Sequence, residues 1–234
     1  MHNRFARAFY GMAAGVAVVT SLGLIGAGAA SAATAKVKPD ATPPCGGSCY
    51  NPYNAKWGPN VILSTPGSSV GAKVNLRQAD NSNPGQDWTS YFQGSVWKFY
   101  HYGLVSGNLA FHYGNEPAFE AQWSPYGVNT GLCAGTRSPA KNGLKVTLQE
   151  CGNGANTVWV VDTNDAAADP NSNGYFPIIA GSTTNFSQPQ VLTSGTPYWT
   201  QATTQRLQTY STSDIANAQL WLAFPGTITP IARH

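Results

Sequence analysis

The chain has 234 residues, with 13 Lys and Arg against 10 Asp and Glu and only 10% charged side chains. This balance gives no electrostatic reason to expect a nucleic-acid partner, and no basic run supplies one. Abundant Gly (25) and Pro (16), together with Asn, Ser and Thr, is the composition of short strands joined by many turns.

Residues 1–32 read as a signal peptide. Arg4 and Arg7 form a basic start, Gly11 to Ala30 is uncharged and rich in small residues, and Ala30-Ser31-Ala32 is a small-x-small cleavage site. A membrane anchor fits less well, because Gly and Ala make a poor permanent span. The absence of an Arg-Arg pair favours general secretion over the twin-arginine route. The mature chain then begins near Ala33 and is extracellular, with no membrane association. Losing Arg4 and Arg7 lowers the basic count from 13 to 11 against 10 acids, a net charge near +1. About 200 residues suit one all-β domain.

Residues 33–58 form a Pro-containing linker in which Cys45 and Cys49 close a small ring. All four cysteines, Cys45, Cys49, Cys133 and Cys151, lie in the exported part. An even count in an oxidising compartment favours two disulfides, and local pairing is the simplest of three connectivities. A zinc site is disfavoured, since Cys-x3-Cys lacks the paired spacing of zinc ligands. No metal or other cofactor is expected.

Three similar stretches follow. Lys73 to Arg77, Lys145 to Gln149 and Gln205 to Thr209 are alternating, strand-like segments. They precede Gln86-Asp87-Trp88, Thr157-Val158-Trp159 and Gln219-Leu220-Trp221. Leu76, Leu148 and Leu207 stand 12, 11 and 14 residues before their Trp, so the order repeats three times. In the first repeat Val61 to Leu63 reads as the opening strand. In the second, Leu132 to Ala134 is a strand, Asn142-Gly143 a type I′ hairpin turn, and Val146 to Leu148 the return. In the third, Phe176 to Gly181 reads as the opening strand. Long insertions separate the repeats at about 100–129 and 162–174; no helix of length is legible in either.

Two Gln-x-Trp units and one in which Thr157 replaces the Gln, each after a Leu-containing strand-like segment, resemble the ricin B-type lectin domain. The whole also looks similar to exported proteins of actinobacteria. The resemblance implies a β-trefoil with three pseudo-repeats and long loop insertions, disulfide-stabilised, over residues 59–225, with residues 226–234 as a C-terminal tail. It places Trp88, Trp159 and Trp221 in a shared structural core. It pairs Cys133 with Cys151, a link worth about 3 kcal/mol through the loop it closes. Cys45 with Cys49 remains the local assignment.

The implied function is non-catalytic recognition of an extracellular glycan or polysaccharide by a monomer. The family's sugar-binding Asp stands two residues after the first-strand Cys, where this chain has Gly135. The opening strands of the first and third repeats carry no evident Asp either. Asn153 and Asn156 match the polar position before the Trp. The aromatic insertion offers a second platform: Trp123, Tyr126 and Tyr113 are the chief candidates, with Tyr102 and Trp199 beside them, while Trp97 reads as a core filler. His101-Tyr102-Gly103 and His112-Tyr113-Gly114 echo each other without the spacing of metal ligands. No nucleophile elbow, phosphate loop or Ser-His-Asp set is present, so no enzyme is expected. The rival functions are a protein-binding trefoil, such as a secreted protease inhibitor, and a structural extracellular protein.

Overall fold

A computed structural model describes residues 49–58, 60–80, 82–164, 175–207 and 216–222. The signal peptide, most of the linker, Cys45, the greater part of the 162–174 insertion and the tail lie outside these residues. Among the described residues the chain is mostly β-sheet, with two short helices. β1 is Tyr53–Asn54, β2 Val61–Ser64, β3 Asn75–Gln78 and β4 Trp88–Ser95; α1 Val96–His101 and α2 Gly107–Tyr113 follow. Then come β5 Pro117–Trp123, β6 Leu132–Gly135, β7 Leu144–Lys145, β8 Thr147–Glu150 and β9 Trp159–Val161. β10 Phe176–Ala180, β11 Gln190–Thr193, β12 Thr203–Arg206 and β13 Leu220–Leu222 complete the order.

All pairings are antiparallel. β2 pairs β3, β4 pairs β5, β6 pairs β8, β9 pairs β10, and β11 pairs β12. β13 joins β1 to β10. At the centre, Val74 N–H donates to Val146 O (3.2 Å), Val146 N–H to Ala202 O (2.8 Å), and Ala202 N–H to Val74 O (2.9 Å). These three bonds close a cyclic triangle, so one strand from each repeat satisfies the next. Val74, Val146 and Ala202, each 0% exposed, enter the core, while Lys73 and Lys145 just before the first two are exposed.

The three tryptophans make one contact in triplicate. The indole N–H of Trp88 donates to Leu63 O (3.1 Å), that of Trp159 to Ala134 O (2.8 Å), and that of Trp221 to Leu192 O (2.9 Å). All three rings are buried in the main core with Leu63, Leu76, Leu148 and Ile178. A buried indole N–H needs such an acceptor, and a strand-end carbonyl supplies it. A second bond is also repeated: Thr65 N–H to Gly85 O, Thr136 N–H to Asn156 O and Ser194 N–H to Ala218 O, each 2.9 Å.

Several expectations need correction. The third opening strand is β11, since Trp221 bonds Leu192; Phe176–Ala180 instead pairs with β9 and β13. The Asn142-Gly143 turn is not type I′. Only Gly143 has positive φ (+74°), so the turn closed by Leu144 N–H on Lys141 O is of the type II kind. The first insertion is no loop. β4 and β5 form a long hairpin with a bulge near Tyr91, and α1 and α2 fill its turn. Val96, Phe99, Leu109 and Ala110 bury one face of that helix pair against Val158, Val160, Ile179 and Val191, making a second core. Each helix starts at a serine: Ser95 Oγ accepts from Lys98 N–H and Ser106 Oγ from Leu109 N–H. Cys133 and Cys151 are joined, 18 residues apart in sequence. Cys49 is also disulfide-bonded, and the Cys45 side of the expected ring lies outside the described residues.

Candidate functional site

β2 and β3 run in register from Val61 opposite Gln78 to Ser64 opposite Asn75. Beyond their ends the chain turns back at Pro84–Gln86, leaving a groove of about 480 Å³ lined by Ser64, Thr65, Pro66, Arg77, Gln78, Ala79, Asp80 and Asn83. That volume is within the range of small-ligand sites.

The walls are held from beneath. Gln86, 2% exposed, accepts the Asp80 N–H (2.9 Å) and donates to Gln78 O (2.7 Å), so one buried amide fixes both ends of the Gln78–Asp80 wall. Asn83 Oδ1 accepts the Gly85 N–H (2.9 Å) and caps the helical turn. Gly85 is required here: a Cβ would lie 2.3 Å from Thr65 O. Asp80 Oδ1 accepts from the Ser82 hydroxyl (2.6 Å) and the Ser82 N–H (2.9 Å). The hydroxyl bond first, and then the amide, hold the Asp80 carboxyl below the usual carboxylate range. The groove therefore offers an anionic acceptor, a guanidinium and two amides side by side.

The equivalent places in the other repeats carry different residues. Gly135 follows the Trp159 acceptor as Ser64 follows the Trp88 acceptor. A Cβ at Gly135 would lie 2.6 Å from Asn156 O and 2.9 Å from Thr157 Cγ2, so no Asp fits there. In the third repeat Thr193 is as buried as Ser64, and its hydroxyl donates to Val191 O (3.1 Å).

None of the sequence-derived candidates lines this groove. Trp123 is buried, with its indole N–H on Pro84 O (2.9 Å), so it offers no ring face to a ligand. Its place is taken up in bracing the turn behind the groove. Tyr126 is half-buried at φ +55°, its N–H donating to Asp87 Oδ2 (2.9 Å). Burial raises the Asp87 carboxyl pKa, and the Tyr126 amide partly offsets this. Tyr113 packs against the second core beside Phe186. Asn153 is exposed, and Asn156 is half-buried with its carbonyl bonded to Thr136 N–H. Trp97 is not a core filler: it is 41% exposed, its indole lying on the bare backbone of Gly114, where a Cβ would meet Nε1 at 2.2 Å.

Sequence reasoning missed Ser64, Arg77, Asp80 and Asn83. The usable signal was an offset: Leu63 and Ala134 both stand 25 residues before their Trp, which aligns Ser64 with Gly135. Glu120 was missed as well. Thr157 stands where Gln86 and Gln219 stand, and Glu120 reaches in from β5 to serve the second repeat. Its Oε1 accepts the Gly152 N–H (2.8 Å) and the Thr157 hydroxyl (2.5 Å).

No protein-family model and no curated protein matches the chain. Among solved structures, 49 chains match. One is a mosquitocidal holotoxin, at TM-score 0.47 and 16% identity, covering 76% of this chain and 17% of that one. A Polyporus squamosus lectin bound to a human-type influenza-binding epitope matches at TM-score 0.47 and 12% identity, covering 75% and 48%. A proteinase inhibitor from Coprinopsis cinerea matches at TM-score 0.45 and 10% identity, covering 76% and 97%. The chain thus spans less than half the length of the first two.

Proposed function

We propose that this is a secreted, monomeric, non-catalytic carbohydrate-binding protein with a ricin B-like β-trefoil fold, and that the groove beside the first repeat is its sugar site. The fold reading draws on the cyclic triangle and the triplicate Trp contact. The observation that carries the function is the groove's lining. A carboxylate accepts from adjacent hydroxyls, a guanidinium and amides donate to hydroxyl and ring oxygens, and the site holds this complete set around about 480 Å³. Asp80 and Arg77 would bind, with Gln78 and Asn83 orienting. The aromatic stacking typical of such sites is not supplied by these residues, so recognition rests on hydrogen bonding.

The test is calorimetric titration of the mature chain from Ala33 with a panel of oligosaccharides. Asp80→Asn and Arg77→Ala are each expected to weaken the best ligand at least tenfold, since a hydrogen bond to a charged group is worth about 1.5–3 kcal/mol. A panel without any binder would end the reading.

A second reading, a protein-binding surface, has one specific observation in its favour. Trp97, Tyr100, Tyr102 and Phe111 are all exposed on or beside the helix pair, Phe111 at 80%. Exposed aromatic clusters of this kind mark interfaces. Alanine at Phe111 and Trp97 together would abolish a protein partner while leaving sugar titrations unchanged.

A further inference from the structure

The cyclic triangle that joins the repeats also gathers charge. Lys73 bridges Thr147, Thr203 pairs with Lys145, and Asn75 bridges Gln201. Val74, Val146 and Ala202 point into the core, so Lys73, Lys145 and Gln201 form the outward ring around it. Lys145 is two residues from Thr147 and is therefore the diagonal neighbour of Lys73, with backbones about 7–8 Å apart.

Two more cations adjoin this pair. The Arg137 guanidinium lies on the backbone of Gly71, two residues from Lys73; a Cβ at Gly71 would meet its Nη2 at 2.3 Å. Lys141 O accepts from the Thr204 hydroxyl, which sets the Lys141 backbone beside β12 at the β7 side of the ring. All four cations are exposed.

The segments concerned, 68–76, 135–149 and 200–205, contain no Asp and no Glu. Among the described residues none of the four side chains has a hydrogen-bond or ion-pair partner. Four of the chain's 13 basic residues thus adjoin one another without a neutralising acid in a protein whose overall charge is close to balanced. Like charges held this close repel, and a bound anion relieves the repulsion.

We propose that this face binds the ester oxyanions of an acidic polysaccharide, sulfate or phosphate groups spaced along a sugar chain. The proposal rests on the carbohydrate reading for the polymer and adds the substituent it must carry. The spread of cations suits a repeating anion better than one small ion.

The test compares dextran, dextran sulfate and dextran phosphate on the mature chain, with double-stranded DNA as competitor. The probes share one backbone and differ in the ester. Both charged dextrans are expected to bind at least tenfold more tightly than dextran, with affinity falling as salt is raised. Lys73→Glu with Lys145→Glu should remove that gain without changing the melting temperature. Arg137→Ala should lower it several-fold, with both lysines in place. Asp80→Asn should leave it intact, so failure of the groove and failure of this face are read separately. Equal binding of dextran and its esters, or full binding by the double lysine variant, would overturn the proposal. DNA displacing the charged dextrans at equal charge concentration would overturn the choice of a glycan.

Discussion

Single residues set what each repeat can do. At the equivalent strand end, Ser64 borders a groove, Gly135 is pinned under Asn156 O, and the Thr193 hydroxyl bonds its own strand at Val191 O. Replacing Gly135 with Asp would therefore clash and not create a site. Glu120 shows substitution across strands: it supplies from β5 the acceptor that Gln86 supplies to its own repeat. Its Oε1 serves two donors, and it is 0% exposed. Glu120→Ala is expected to cost about 2 kcal/mol in urea unfolding, because the Gly152 N–H and the buried Thr157 hydroxyl both lose their acceptor; Glu120→Gln should cost less. Asp80 makes a pH prediction. Its folded pKa is lowered by Ser82, so it stays ionised at neutral and mildly acid pH. Any stability it adds is present above its unfolded pKa and is lost as pH falls through the lower folded one. Sugar affinity should follow that titration, holding at mild acidity and dropping only below the usual carboxylate range, with Asp80→Asn giving a weak, flat profile.

At the scale of elements, turns and caps were harder to read than strands. The strands of Leu76 and Leu148 and the three Trp residues stand out because alternation and large aromatics carry their own signal. The third strand was misaligned, since Leu207 lies beyond β12 on the second core and Thr204 holds the place of Leu76 and Leu148. The helix pair does not, since six and seven residues are too few for a period of 3.6 to show. A trace was present: Ser95 to Gly103 and Ser106 to Gly114 repeat at a spacing of 11, each a serine cap followed by His-Tyr-Gly at the helix end. The groove was illegible because Asp80, Ser82, Asn83 and Pro84 look like any polar turn. Only the buried Gln86 bonds reveal that they form a wall. The Cys133–Cys151 link ties β6 to the end of β8 across an 18-residue separation. Replacing both with Ser should lower unfolding free energy by about 3 kcal/mol in denaturant titrations under oxidising conditions. Reductant should then have no further effect on this part of the molecule.

For the whole molecule, the cyclic bonding of Val74, Val146 and Ala202 makes one arrangement serve two ends. Inward it closes the core around three equivalent tryptophans; outward it brings cations from separate repeats onto one face. The groove beside the first repeat is expected to take one sugar per chain, and any avidity for a polymer comes from the basic face. The aromatic helix face is a third, separate surface. The most direct measurement follows backbone amide shifts of the labelled mature chain as the best oligosaccharide of the panel is added. The account predicts that the largest shifts fall in Ser64–Pro66 and Arg77–Gly85, with a stoichiometry of one. Shifts confined to the Trp97–Phe111 region, or no saturable shift with any sugar, would contradict it.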